Sequence, residues 1–273
     1  MKSPSVLVLM DFSPKSFEAL PQALVLAGGK PVYVLHIVET SFFSAKVNME
    51  AITKNLLGQL LLAFPHFPKE HFICTSGAFN KVLKEQISAL NVALVVMGQN
   101  GEKGALETFF LGSHVKSIVK TAGVPTLLLK SYTPVPYTHV LIPSDLSAES
   151  KEHIAHMVAL FPKARFSVVY MYTVPFENRL SLYGLNQNEA ETFKMGFENE
   201  EEDRAKLFFK HLTDTYPNMR CMVRNESVSP ATFVELADTL EADLIAVHTT
   251  GNFSFLAFDL LEICEDDILI HQK

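Results

Sequence analysis

PSVLVLMDFSPKS at residues 4–16 returns as THVLIPSDLSAES at residues 138–150. Each stretch runs from apolar, strand-forming residues into an aspartate. A serine and a polar segment suited to a helix start then follow. Asp145 answers Asp11 at an offset of 134, and the offset holds where Met171 answers Ile37. It then widens: Cys221 answers Cys74 at 147, and Gly251 answers Gly101 at 150. The added residues lie mainly in an acidic helical stretch around Glu177–Glu202. The offset falls back to 141 where Leu269 answers Leu128, so nine residues are missing ahead of a helix near Ser254. Repetition at this length means a duplicated domain, not a solenoid.

Within the first repeat, short β-rich runs alternate with longer helical patterns. The runs are Val6–Met10, Val32–Ile37, His71–Thr75, Ala93–Met97 and Thr126–Leu129. Helical spacing covers Ser16–Ala27, Val47–Phe64, Val82–Leu90 and Val115–Thr121, and Gly28-Gly29 suit a C-terminal cap. Runs such as LVVM at 94–97 suit strands buried on both faces. The β-α-β alternation predicts an α/β fold, a doubly wound parallel sheet with helices on both sides, in each repeat. SYTPVPY at 131–137 reads as a linker, so the domains are 1–131 and 138–273. A chain of 273 residues suits two such domains.

Composition narrows the function. Apolar residues make up 48% and charged residues 19%, a core-forming balance. No apolar run is long enough to span a bilayer. The apolar stretch before Asp11 is too short for a signal peptide, which predicts a cytoplasmic protein with no membrane partner. Cys74, Cys221 and Cys264 show no paired spacing and read as free thiols. The net charge of −7 is uneven: residues 1–137 carry 12 Lys, no Arg and 8 acids, while 138–273 carry 11 basic residues and 22 acids. A basic half tolerates phosphate and an acidic half repels it. No basic cluster with interleaved aromatics occurs, which argues against nucleic acid. His66 and His71 lack a partner at metal-ligand spacing, and no metal site is expected.

MGQNGEKGALETFFLGSHVKSIVK at 97–120 carries the chemistry. Gly98 follows a buried strand, Gly101 comes three residues on, and Gly112-Ser113 are placed to open a helix. Phosphate oxygens need several backbone N–H donors at close range, which glycine and a helix N-terminus supply. Charge-assisted bonds of this kind contribute about 1.5–3 kcal/mol each. In an open parallel sheet the ligand sits beyond the carboxyl ends of the strands, at the switch point.

These residues resemble the nucleotide-binding motif of the universal stress protein family, G-x2-G-x9-G-(S/T) after the fourth strand. DFS at 11–13, LHIVE at 35–39 and VPTLLL at 124–129 resemble further family landmarks. The resemblance spans both repeats. It implies two tandem five-stranded parallel sheets of order 3-2-1-4-5, adenine-nucleotide α-hydrolase-like, packed as an internal pseudo-dimer, with a further homodimer left open. It assigns Asp11 to the nucleoside, Ile37 to adenine through its backbone, and Gly98, Gly101, Gly112 and Ser113 to the phosphates. Asn100 and His114 take phosphate-proximal positions. ATP is the implied cofactor, with Mg2+ only as its companion. One departure stands out: ten residues, not nine, separate Gly101 from Gly112. The second repeat departs further, with His248 answering Gly98 and Phe253 answering Gly112, and is expected to bind no ATP although Asp145 remains.

Plainer roles compete at each position. Asp11 can serve turn geometry, with Ser13 as N-cap and Pro14 at N1. His36 and His248 suit structural roles, Glu198–Asp203 suits a solvated helix face, and Phe193, Phe197, Phe208 and Leu212 suit a core. Ser113 and His114 are adjacent on a helix and point about 100° apart, so they form no dyad. The leading expectation is a stress-response protein that binds ATP or a related adenine nucleotide in its N-terminal domain and is not an enzyme, beyond slow hydrolysis at most. The rival is a nucleotide-free interaction protein that docks an unknown partner through its acidic C-terminal domain. An α-hydrolase-like enzyme is a third and weaker reading.

Overall fold

The computed structural model describes residues 3–39, 48–98, 108–131, 133–249 and 253–272. The side chains of 108–114, 178 and 253–255 are also outside that description. The chain divides into two compact units. One is Met1–Pro136 with Glu265–Lys273; the other is Tyr137–Cys264.

The first unit runs β1 (Ser5–Leu9), α1 (Pro14–Phe17), α2 (Ala19–Ala27), β2 (Val32–Val38), α3 (Met49–Ala63), β3 (Phe72–Ser76), α4 (Phe79–Ala89), β4 (Val92–Gly98), α5 (Thr108–Ala122) and β5 (Thr126–Leu129). Its strands lie in the order β3-β2-β1-β4-β5, all parallel. β1 and β5 are buried along their whole length, as two-sided coverage by helices requires. The periodicity over Ser16–Ala27 predicts one helix, and the chain makes two. Pro21 explains the break: its ring would collide with the carbonyl of Phe17, where α1 stops. Gly28 closes α2 at φ 56, as the paired glycines imply.

The second unit repeats the plan with β6 (His139–Ser144), α6 (Ala148–Leu160), β7 (Arg165–Tyr172), α7 (Gln187–Thr215), β8 (Met219–Asn225), α8 (Pro230–Leu240), β9 (Leu244–His248) and α9 (Phe253–Ile263). Its order is β8-β7-β6-β9, parallel throughout, which matches 3-2-1-4 of the first unit. The widened offset has a clear location. A 3-10 turn at Glu177–Tyr183 precedes α7, which has 29 residues where α3 has 15. Asn186 and Glu189 close a reciprocal capping box at its start. Asp243 accepts from Thr138 N at 2.7 Å, Thr138 Oγ at 2.8 Å and His139 N at 3.0 Å, which ties β6 to the start of β9.

The fifth strand of the second repeat is β10 (Ile268–His271). The sequence reading places it at the end of the 138–273 domain. It groups with the first unit, where it lies antiparallel on β5, with Ile268 opposite Leu128 and Ile270 opposite Thr126. Asp267 holds the junction: its buried carboxylate accepts from Lys130 N at 2.7 Å and Ser131 N at 2.9 Å.

Removing that acceptor strands two backbone donors. Asp267→Ala is expected to destabilise the first unit by about 2–3 kcal/mol, read as a lower urea midpoint. A midpoint equal to wild type would show that β10 is held by its ladder alone.

Candidate functional site

Three strand ends of the first unit bear the predicted residues. β1 closes at Leu9, and Asp11 follows it; β4 closes at Gly98; Ile37 sits near the end of β2, opposite Thr75. The order reverses between β1 and β4, so Asp11 and Gly98 flank the switch point. The last β1 residue paired to β2 is Leu9, opposite Leu35. Half-buried Ile37 therefore lies two residues beyond that ladder, with backbone not used by β1.

Asp11 organises a turn. Its Oδ1 accepts from Ser13 N at 2.9 Å and Ser13 Oγ at 2.7 Å. Phe12, between them, takes the left-handed region at φ 65, a conformation that disfavours a bulky side chain. Its ring is anchored edge-on by Phe17, His36 and Phe72. Ser13 is the N-cap residue with Pro14 after it, as read from sequence, but its hydroxyl makes no cap bond and donates to Asp11. Partial burial pushes the Asp11 carboxyl up. The bonds from the Ser13 hydroxyl and backbone N–H outweigh this and hold it below the ordinary carboxylate value. The result is an exposed, ionised carboxylate in a fixed turn at the switch point.

Gly98 is needed for close approach. A Cβ there would lie 2.9 Å from the carbonyl oxygen of Lys15 and 3.6 Å from Ser16 Cα. The first turn after β1 is thus pressed against the end of β4, and both are backbone at the contact. Asn100 and Gly101 lie outside the described residues. Gly112, Ser113 and His114 are inside α5 rather than at its start, since the helix opens at Thr108. The physical reason is visible in the sequence: Leu111 extends the apolar spacing of Val115, Ile118 and Val119 backwards by a turn. The amides of Gly112 and Ser113 are then committed within the helix, and the unpaired ones belong to its first residues, Thr108–Phe110.

The second unit builds the same turn and then fills it. Asp145 Oδ1 accepts from Ser147 N at 3.0 Å and Ser150 Oγ at 2.6 Å, and Leu146 repeats the left-handed φ at 62. His248 stands where Gly98 does, at the end of β9, with no exposed surface. Its Nε2 is 2.8 Å from Ser150 Oγ and 4.0 Å from Asp145 Oδ1. Burial holds the His248 imidazole below its ordinary value, although Asp145 and Glu149 pull the other way. Neither Ser16 nor Ser150 was singled out from sequence. The signal was present: both repeats read D-x-S-x-x-S, at 11–16 and 145–150.

The acidic run of α7 is only partly a solvated face. Glu201 turns inward to accept a hydrogen bond from Tyr170, and Glu198 accepts from Asn225 Nδ2 at 2.9 Å. Burial and the Glu201 carboxylate push the Tyr170 phenol well up. Lys206 pairs with Glu202 and Asp203 at the surface. Leu212 is buried, Phe197 and Phe208 are half-buried, and Phe193 is exposed, so the core reading of this stripe holds for part of it. The Cys221 thiol is pushed up to about 11 by burial, which makes it unreactive. No described helix is long and apolar enough to cross a membrane.

Residues 3–130 match the model of the Universal stress protein family. No curated protein matches the chain. A universal stress protein from Archaeoglobus fulgidus DSM 4304 superposes with a TM-score of 0.66 at 10% identity, covering 100% of this chain and 97% of its own. A functionally unknown protein from Pseudomonas aeruginosa PAO1 gives 0.62 at 15% identity, covering 98% and 92%. At these identities the likeness shows the fold.

The Gly98 contact sets a test of packing at the site. Gly98→Ala forces the Lys15 carbonyl to move and is expected to cost about 1–3 kcal/mol, measured by chemical denaturation. A neutral result would mean the turn at Lys15 yields freely.

Proposed function

With residues 3–130 belonging to the universal stress protein family, we propose that the first unit binds ATP or a related adenine nucleotide across the carboxyl ends of β1, β2 and β4. The nucleotide acts as a regulatory ligand in a cytoplasmic stress-response protein, with at most slow hydrolysis. One observation carries this reading: the two units share the aspartate turn, and only the first keeps a bare backbone at the end of the fourth strand. Asp11 faces the nucleoside, and the backbone of Ile37 beyond the β1 ladder is suited to an adenine edge. Gly98 lets the phosphates approach closely, with the segment through Asn100 and Gly101 and the N-terminal turn of α5 supplying amide donors. The surplus of lysines in residues 1–137 favours an anion there. Mg2+ would arrive on the phosphates, as it does where few protein carboxylates serve it.

The second unit is read as binding no nucleotide. Its aspartate is occupied by Ser147 and Ser150, and a histidine ring stands where phosphate approach would need open space.

Calorimetric titration of the full chain with ATP, ADP and AMP tests the proposal. Binding at one site per chain is expected, weakened about tenfold or more by Asp11→Ala, in line with loss of a charge-assisted bond. Heats indistinguishable from buffer for all three nucleotides would end this reading. Binding that ignores Asp11→Ala would move the site elsewhere.

A further inference from the structure

We infer that the 3-10 turn at Glu177–Tyr183 and the N-terminal half of α7 form a docking surface for a basic amphipathic helix of a partner protein. The second repeat adds this surface to the common fold. Helix α7 has 29 residues where α3 has 15, about 21 Å of extra helix. Its buried residues are Ala205, Phe209 and Leu212, all in its C-terminal half. Every residue from 187 to 204 is exposed or half-buried. The extension therefore contributes little to the core of the second unit. An ion pair between Lys194 and Glu177 fastens the turn to the helix, which sets Phe176 beside the part of α7 that carries Phe193.

What the extension exposes is in part apolar. Leu182 is 80% exposed, Tyr183 62%, Phe176 61% and Phe193 41%. Phe176 and Tyr183 meet edge to face, with ring centroids 5.6 Å apart. A cleft of about 330 Å³ opens beside Phe176, lined also by Thr173, Val174, Glu177 and Arg179. Single exposed apolar residues are ordinary on a protein surface. A cluster that includes aromatic rings beside a cleft marks a place where a partner buries its anchors.

Charge selects the occupant. Residues 173–203 carry eight acids against two basic groups, Arg179 and Lys194. Glu201 and Glu198 are turned to Tyr170 and Asn225, and Glu177 is taken by Lys194. Glu189, Glu191 and Glu200 are exposed and have no ion pair among the described residues. Glu189 stands four residues before Phe193 and Glu200 seven after it, so acids flank this ring on its own helix face. Carboxylates around apolar anchors match a segment with an apolar stripe and lysine or arginine at its flanks. An amphipathic helix presents both, with anchors at i, i+3, i+4 and i+7. Anionic membranes and nucleic acid meet repulsion at the same place. The surface lies wholly in the second unit, so this inference does not rest on nucleotide binding by the first.

The probe is a fluorescent helical peptide of about 18 residues, with leucines on one face and lysines on the other. A leucine–glutamate peptide of the same pattern is the control. Anisotropy titrations against the full chain are expected to show saturable binding of the lysine peptide, about tenfold or more tighter than the control. Leu182→Ser combined with Tyr183→Ser should weaken it about tenfold or more through lost anchors. Glu191→Lys combined with Glu200→Lys should weaken it to a similar degree through charge. No binding, equal binding of the two peptides, or binding undiminished by the serine pair overturns the inference. Wild type also decides by NMR, whether or not the variants fold. The lysine peptide should shift amide signals of residues 176–200 and leave those of the first unit in place; the converse pattern overturns it. Two other occupants are distinguished with the serine pair. If that variant abolishes a wild-type dimer in sedimentation, or adsorption to phosphatidylserine vesicles, the surface belongs to a second copy or to a membrane, and the inference falls.

Discussion

The rest of the site depends on one tight contact between backbones. Where β4 ends, the carbonyl of Lys15 stands 2.9 Å from where a Cβ would be. That distance leaves no room for a side chain at Gly98. It also brings the Asp11 turn and the end of β4 to the same edge of the sheet. Parallel topology does the remainder, because both strands deliver their carboxyl ends to one side at the point where the order reverses.

The second unit shows what happens when the contact is built with a side chain. His248 enters the space, and Ser150 and Asp145 close around it with bonds of 2.8 and 2.6 Å. The carboxylate that the first unit leaves exposed becomes a structural acceptor. A buried polar cluster of this kind is stable only when each member has a partner. That is why replacing one glycine by histidine goes with a serine hydroxyl turned toward it. Duplication thus produced one switch point with a glycine at the end of its fourth strand and one filled with protein side chains.

Charge follows the same division. The acids of the second repeat are concentrated on α7, the longest helix. Some of them have inward tasks: Glu201 satisfies Tyr170, and Glu198 satisfies Asn225. The acidic run therefore helps hold α7 over β7 and β8. Its exposed remainder is paired in part with Lys206, a contribution that solvent screens heavily.

The amino-acid sequence by itself determined the duplication, the alternating elements, the parallel class and the residues that border the switch point. Those properties follow from local periodicity and from short motifs whose spacing survives in both repeats. It also marked Gly98 and His248 as the position where the repeats diverge. Two helix boundaries turn on local residues that the periodicity did not resolve, and only the tertiary structure decided the remainder. The α5 start moved to Thr108 because an apolar turn extends the helix beyond its glycine. Helix α1 ended at Phe17 because Pro21 acts four residues upstream of itself. β10 joined the first unit through Asp267, a partner 137 residues from Lys130 in the chain. The role of His248 depended on Ser150, 98 residues away. Interactions across such separations leave no trace in local pattern, because they exist only once the strands lie side by side.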